Sequence, residues 1–556
     1  MNTRYSFLIT FLAFLCLALP LLSAEITNIN PAQNALNVPA NIGITVTFDS
    51  DMNPATIGNQ TFVIHGSYTG LLDGTYSYDS PSRTARFTPA RALHYGENVV
   101  VEITAGIETS GGTPLDHGFI WSFTVLASPY STGMLTLDST YTVTGDPGTL
   151  TTADLDRDND IDIIYSNGSP HAAMVMLNDG HGTFAPPTAY PVSHEENCAS
   201  VFAADLNNDN YPDLLTVNSL SQMAVLLNDR TGAFPSYTTY TVPENPSYAI
   251  AADLDADGYN DIVVIMRFID RVLIFRNNGD GTFAQPDTCN VDDGPITADA
   301  ADLDKDGDLD LAVACMESGT VSVLKNNGDG SFATQVIYAA GTGCMWLECA
   351  DVHNDANIDI VTANLNDNNV SVLRNYGTGT FASPVNYPAG QFCIFVGSTD
   401  IDGDGYLDLP AISVSPGSIE MLFNSSSATF WAVQSYPISY GVAFLAPADL
   451  NYDGAMDIVA CNFEESKIYV FLNGHPPCCG LYTGGFTGNT DCDTEGKMAL
   501  SDVTRLIDRI YLSKNPLCCE ANGNVDGDVD SKMSLSDVTL LIDHIYLTKQ
   551  PTAACP

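Results

Sequence analysis

The sequence predicts a mainly β chain: a β-sandwich, then a seven-bladed β-propeller, then a small α-helical domain built on paired acidic loops. Three observations carry this reading. An aspartate-rich motif recurs with its first residue at Asp154, Asp205, Asp253, Asp302, Asp351, Asp400 and Asp449, at intervals of 51, 48, 49, 49, 49 and 49. Before it, residues 25–126 alternate apolar and polar side chains, and after it residues 491–512 and 526–547 match at about 15 of 22 positions. A long, regular period marks a repeat architecture, alternation marks half-buried strands, and the matching pair marks a duplication.

The first 24 residues carry Arg4, an apolar run from Phe7 to Leu22 and a Ser23-Ala24 end, the pattern of a secretory signal. The run is short for a bilayer, so the mature chain is expected to begin near Glu25 and to be exported. In residues 25–126 the alternating sets are Ile42-Ile44-Val46-Phe48, Val99-Val101-Ile103 and Trp121-Phe123-Val125, which predict a sandwich. From about 130 to 474 each repeat supplies four short strands, read in the third as YAIAAD, DIVVIM, RVLIFRN and a segment after the NNGDGTF turn. Four strands per unit is a propeller blade. The Asn and Gly residues of that turn suit positive φ, so it reads as a hairpin. The seventh unit runs from FLNG straight into PPCC without a last strand, while residues 134–143 form a strand with no blade before it. Tyr141 lies thirteen residues before Asp154, as Tyr240, Tyr338, Tyr387 and Tyr436 lie thirteen before their own aspartates. Residues 134–143 are therefore expected to complete the seventh blade and close the ring.

Aligned, the repeats read D-x-[D/N]-x-D-[G/N]-x-x-D. The positions are Asp154, Asp156, Asp158 and Asp162; Asp205, Asn207, Asp209 and Asp213; Asp253, Asp255, Asp257 and Asp261; and Asp302, Asp304, Asp306 and Asp310. They continue as Asp351, Asp355 and Asp359; Asp400, Asp402, Asp404 and Asp408; and Asp449, Asn451, Asp453 and Asp457. Like charges this close repel by about 4 kcal/mol per pair at 4 Å and an effective dielectric near 20, so the pattern calls for a cation. Hard oxygen ligands in this number suit calcium and not zinc. The fifth copy, with His353 at position 3 and Ala356 at position 6, is expected to bind most weakly. Solvated acidic loops or a salt adaptation would not place carboxylates at fixed offsets seven times.

The repeats resemble FG-GAP or VCBS repeats, the family of integrin alpha-subunit propellers and many bacterial secreted proteins. That resemblance implies that the loops bind calcium in a structural role. NVPANIGITVTFDSDMNPATI and FTPARALHYGENVVVEIT resemble the bacterial Ig-like domain, which implies a spacer without a ligand.

In the C-terminal duplication, loop positions 1, 3, 5 and 12 hold Asp491, Asp493, Glu495 and Asp502 in one copy and Asp526, Asp528, Asp530 and Asp537 in the other. Each loop enters a helix with an apolar stripe, Val503-Leu506-Ile507-Ile510 and Val538-Leu541-Ile542-Ile545. These are calcium loops of EF-hand type with Asp at position 12. Duplicated loop-helix units at 478–556 resemble dockerin domains, which implies a cohesin-like partner in an extracellular assembly. Ser531 replaces the loop glycine of the second copy, and Leu500-Ser501 and Leu535-Ser536 stand where many dockerins carry Ser-Thr. Six cysteines cluster here, from Cys478 to Cys555, and in an exported chain they predict disulfides of open connectivity. The seven scattered from Cys198 to Cys461 read as small buried apolar residues.

A net charge of −48 makes nucleic acid and anionic membranes poor partners. The nine histidines are dispersed, no HExxH or GxSxG occurs, and the acids that recur, 33 of the 67, are already assigned a ligand role, so no catalytic residues are singled out. The expected function is a secreted, non-catalytic calcium-binding scaffold whose propeller engages a protein or glycan and whose C-terminal module docks to a cohesin-like partner. The alternative is a polysaccharide-degrading enzyme or a component of a polysaccharide-degrading assembly.

Overall fold

The computed structural model describes residues 23–127, 131–192, 198–218, 221–243, 245–424, 428–430 and 432–474. The segment 1–22, the duplicated module at 478–556 and its ligands Asp491 to Asp537 lie outside the described residues.

Residues 26–125 form two sheets. One runs Ile26–Asn30, Ile44–Phe48, Thr84–Pro89, Gly74–Asp79; the other runs Ala35–Val38, Phe119–Val125, Asn98–Ile103, Phe62–Gly66, Gly70–Leu71. Alternation along Ile44–Phe48 turns Ile44, Val46 and Phe48 inward, where they meet Phe62, Phe87, Trp121 and Phe123, all almost fully buried.

The remainder of the described chain forms seven four-stranded antiparallel sheets. Their inner strands are Pro147–Ala153, Cys198–Ala204, Pro246–Ala252, Pro295–Ala301, Cys344–Ala350, Gln391–Val396 and Val442–Ala448. In the third sheet the following strands are Asp261–Met266, Arg271–Phe275 and Asp287–Asn290. Second strands such as Asp261–Met266 are buried at every position. Neighbouring sheets cover both of their faces, so they read as unbroken apolar runs without alternation. In the outer strands most side chains are exposed and one, commonly Tyr, packs inward.

Inner strands pack one on the next, and Val442–Ala448 packs back on Pro147–Ala153. The seventh sheet takes its outer strand from ahead of all the repeats: Leu135–Thr142 pairs antiparallel with Lys467–Asn473, from Leu135 opposite Asn473 to Thr142 opposite Lys467. On the axis, rings from four inner strands meet, with Trp346 centred 5.1 Å from Tyr248, 5.0 Å from Phe395 and 4.7 Å from Phe444. The axis is packed with aromatic side chains.

The turn at the end of each third strand does more than reverse the chain. Its glycines take positive φ, as at Gly279 and Gly281, but its leading Asn is extended, buried and bridges two sheets. Asn228, Asn277, Asn326, Asn375, Asn424 and Asn473 each donate Nδ2 to a carbonyl of the preceding sheet's acidic loop, and Asn178 donates to Leu450 of the last, at 2.6–2.9 Å. Of the scattered cysteines, Cys198, Cys315, Cys344, Cys393 and Cys461 are buried thiols, with Cys289 and Cys349 partly so.

Every acidic loop joins an inner strand to a second strand, so all seven lie at one end of the ring. The sandwich sits on that end. Tyr68 and Arg91 bond the first loop, Asp73 the second, Gln33 the fourth, Asn34 the fifth and Asn37 the sixth. The sandwich's backbone passes close to the third loop at Gly118 against Ala256, and His94 meets Tyr452 of the seventh edge-on. Between the two bodies is a cavity of about 520 Å³ lined by His65, Tyr68, Val100, Asp299, Glu348 and Ser398. The opposite end, reached by the turns after second strands and by the entries to inner strands, exposes Phe268, Phe392, Tyr440 and Phe463.

Candidate metal centres

Each loop is a small cage of backbone amides drawn onto carboxylates. The first aspartate accepts from the amide of position 6 at 2.7–3.2 Å in all seven copies. Position 5 accepts from the amide of position 7 at 2.9–3.2 Å. To make these turns the backbone goes left-handed twice, at position 6 and also at position 4, where Arg157, Asn208, Ala256, Lys305, Asn354, Gly403 and Tyr452 have φ of 51–72°. Only one of those seven is glycine, so most copies hold an L side chain in a conformation that costs energy unless the surroundings fix it.

Four loops bring three carboxylates together within 4.8 Å: Asp154-Asp156-Asp158, Asp253-Asp255-Asp257, Asp302-Asp304-Asp306 and Asp400-Asp402-Asp404. In the other three, Asn207 and Asn451 supply amide oxygens in place of a carboxylate, and His353 turns Nδ1 onto Asp359 at 2.6 Å. Among the described residues, those loops gather no such triad. Asp162, Asp213, Asp261, Asp310, Asp359, Asp408 and Asp457 open or lie just before the second strands, are at most 1% exposed, and accept the amide of the bridging Asn at 2.7–2.9 Å. Each is thus a joint between loop and sheet, and its oxygens keep lone pairs free for an ion.

The donor set fits a hard divalent cation. Asp154 Oδ1, Asp156 Oδ1, Asp255 Oδ1 and Asp304 Oδ1 are buried with no hydrogen-bond partner, an arrangement that is costly unless something binds them. Basic residues reach part of the charge: Arg276 lies 2.8 Å from Asp261 and 3.4 Å from Asp255, Lys325 2.9 Å from Asp304, and Arg374 2.9 Å from Asp355. Sequence spacing did not single these three out, although they occupy the same place before the bridging Asn in consecutive repeats.

Burial, reinforced by neighbouring carboxylates and partly opposed by backbone amides, pushes Asp162, Asp213, Asp310 and Asp408 up to about 8. It pushes Asp154, Asp261, Asp306 and Asp400 to about 7, and Asp205, Asp302 and Asp351 to about 6. Because these folded-state values lie above the unfolded value of 3.8, a metal-free ring holds its full stability only below that value and loses it progressively as pH rises from there through about 6 to 8. Metal-stripped protein should therefore melt at lower temperature at pH 8.5 than at pH 6, and added calcium should flatten or reverse that slope. Circular-dichroism melts showing the same pH slope with and without calcium would contradict the assignment.

Family comparison separates the two bodies in the same way. A bacterial Ig-like domain matches residues 23–125. The FG-GAP-like repeat matches six overlapping segments, 154–216, 206–264, 253–313, 306–362, 351–411 and 400–460, which together span more than half of the chain. No curated protein matches the sequence. Among solved structures, BBS1N in complex with ARL6DN, soaked with lead, is 13% identical with a TM-score of 0.46 over 62% of this chain and 98% of that one. The mercury-soaked form of that complex is 12% identical with the same TM-score and coverage. An Agrocybe aegerita lectin, described for specific recognition of non-reducing terminal N-acetylglucosamine, is 17% identical with a TM-score of 0.40 over 74% of this chain and 99% of that one. Seven sheets joined by one repeating acidic loop, six of whose junctions match a single repeat family, establish that the chain belongs to the FG-GAP-like repeat family.

Proposed function

We propose that the chain is a secreted, non-catalytic scaffold in which a seven-bladed propeller, held by calcium, presents a binding face and a C-terminal dockerin-like module fixes it to a cohesin-like partner. The observation that carries this reading is the convergence of three carboxylates in each of four loops, with buried oxygens left unpartnered in three of them. Calcium bound there would supply charge neutralisation. In the first, third, fourth and sixth blades, positions 1, 3 and 5 would hold it, with position 9 adding a fourth carboxylate. The seven-bladed count is supported by seven four-stranded sheets and by the bond from Asn178 back to Leu450.

The sandwich covers the loop end, so the ligand-binding role falls to the open end with Phe268, Phe392, Tyr440 and Phe463, whose flat apolar side chains suit a protein or glycan surface. An enzymatic role in polysaccharide breakdown ranks second. Its best carboxyl pair, Asp299 and Glu348, lies in the cavity beneath the sandwich, where burial pushes Glu348 up to about 8.

Equilibrium dialysis of the metal-stripped chain against calcium should return up to nine ions, seven from the blades and two from the C-terminal loops, with the fifth blade weakest. Two or fewer would sink the blade assignment. An immobilised cohesin module should retain the chain in calcium and release it in chelator. On a glycan panel the Phe392→Ala/Tyr440→Ala variant should lose whatever the parent binds; unchanged binding would move the ligand site off this face.

A further inference from the structure

We propose that Glu102 of the sandwich is a metal ligand of the third blade, so that one ion bound by Asp253, Asp255, Asp257 and Glu102 clasps the two domains together. This rests on the calcium reading above and extends it to a residue outside the repeats.

Glu102 lies in the strand Asn98–Ile103, opposite Val63 on one side and Ile120 on the other. It stands in the apolar run Val99-Val100-Val101-Glu102-Ile103, where strand alternation puts it on the face of Asn98 and Val100 and away from the sandwich core of Val99, Val101 and Ile103. That face lies against the ring: Ile120, opposite Glu102, belongs to one core cluster with Ile250 and Val263 of the third blade, and Val100 packs against that cluster. The side chain is 2% exposed, and its Oε1 has no hydrogen-bond partner. Its neighbours are Asp253, with which its carboxyl shares a side-chain hydrogen bond, and Asp257 and Asp255, all carboxylates of one loop. Asp255 Oδ1, in the same place, is also buried without a partner.

Asp253, Asp255 and Asp257 converge within 4.8 Å, and Glu102 faces the same three acids from the other domain, with one oxygen of Glu102 and one of Asp255 left unpartnered. The surroundings leave Glu102 no way out. A Cβ at Gly258 would lie 3.3 Å from Val63, and one at Gly118 only 2.4 Å from the Ala256 side chain, so sandwich and loop are in close contact on both sides. Arg276 reaches Asp255 and Asp261 but is one charge among five acids. A divalent ion with oxygen ligands satisfies this set, and affinity for such an ion grows with the number of charged ligands. Among the described residues, the other loops receive no buried carboxylate from the sandwich: Gln33 bonds Asp302, Asn37 and Arg91 donate to the Gly405 and Arg157 carbonyls, and Asp73, which bonds Asn210 and Arg157, is exposed.

The test is calcium titration calorimetry and thermal melting of the full-length chain against its Glu102→Gln variant, an isosteric change that removes a buried charge. We expect one site to weaken about tenfold or more with the rest unchanged. The calcium-induced rise in melting temperature should shrink, while in chelator the variant should melt no lower than the parent. Combined with Asp253→Asn the loss should be non-additive, and combined with Asp400→Asn it should be additive. An isotherm identical to the parent's, or equal destabilisation with and without calcium, would overturn the clasp and leave the blade sites standing. A parent chain that binds no calcium would overturn both.

Discussion

A chain that begins at about Gly145 will aggregate, whereas one that begins at about Ala127 will remain soluble. The shorter chain lacks Leu135–Thr142, so Lys467–Asn473 keeps Asp457–Asn462 on one side but loses its outer partner along its whole length and becomes an open edge. An exposed sheet edge of mostly apolar sequence is a template for further strands. It also loses the ring of Tyr141, which meets Phe184 edge-on with centroids 5.9 Å apart and whose hydroxyl accepts the Phe184 amide at 3.0 Å. The last blade would thus be missing its outer strand and its grip on the first. Size-exclusion chromatography of the two chains at equal concentration checks this, and indistinguishable profiles would refute closure by this strand.

The Trp346→Ala variant should lose about 3 kcal/mol of stability, the lower end of what large aromatic deletions cost, because the indole keeps some exposure. Its ring touches Tyr248, Phe395 and Phe444, which come from the third, sixth and seventh blades, and it packs against three separate core clusters. Deleting it opens a void on the axis that no one blade can close. Trp346→Phe should recover more than half of the loss, since a smaller ring still reaches some of these partners. Urea unfolding decides the matter; a loss under about 1 kcal/mol would mean that the axis is not held by this residue.

The repeat period and the composition of one unit made the ring architecture readable, because each blade repeats the same local problem: an apolar strand buried on both sides, and a loop that must hold several negative charges. Asp154, Asp253, Asp302, Asp400 and their companions could be placed on one loop from spacing alone. Contacts between repeats were harder to read. Asn326 looks like any hairpin asparagine until the carbonyl of Leu254 in the preceding blade comes within 2.7 Å of it. The left-handed turn at position 4 is hidden because Arg157, Lys305 and Tyr452 carry none of the residue preference that position 6 shows in Gly258, Gly307 and Gly405. Glu102 did leave a trace, a lone acid inside Val99–Ile103, but only the placement of the sandwich against the third loop gives that trace a meaning. The sandwich was expected to be a spacer without a ligand, and alternation within a strand says nothing about what its outward face will meet.

The sandwich's seat on the loop end fixes how many repeats this chain can carry. Each loop meets a different piece of a domain that has no symmetry of its own: Tyr68 at the first, Asp73 at the second, Gly118 at the third, Gln33 at the fourth, Asn34 at the fifth, Asn37 at the sixth and His94 at the seventh. Gene duplication can lengthen an open array by one unit at little cost, because every junction in it is alike. Here an eighth unit would widen the circle and shift every loop away from its counterpart above, and a sixth would narrow it. The units have therefore stopped being interchangeable: each is free to drift from its neighbours in sequence, as the fifth has with His353 and Ala356, but none can be gained or lost by itself.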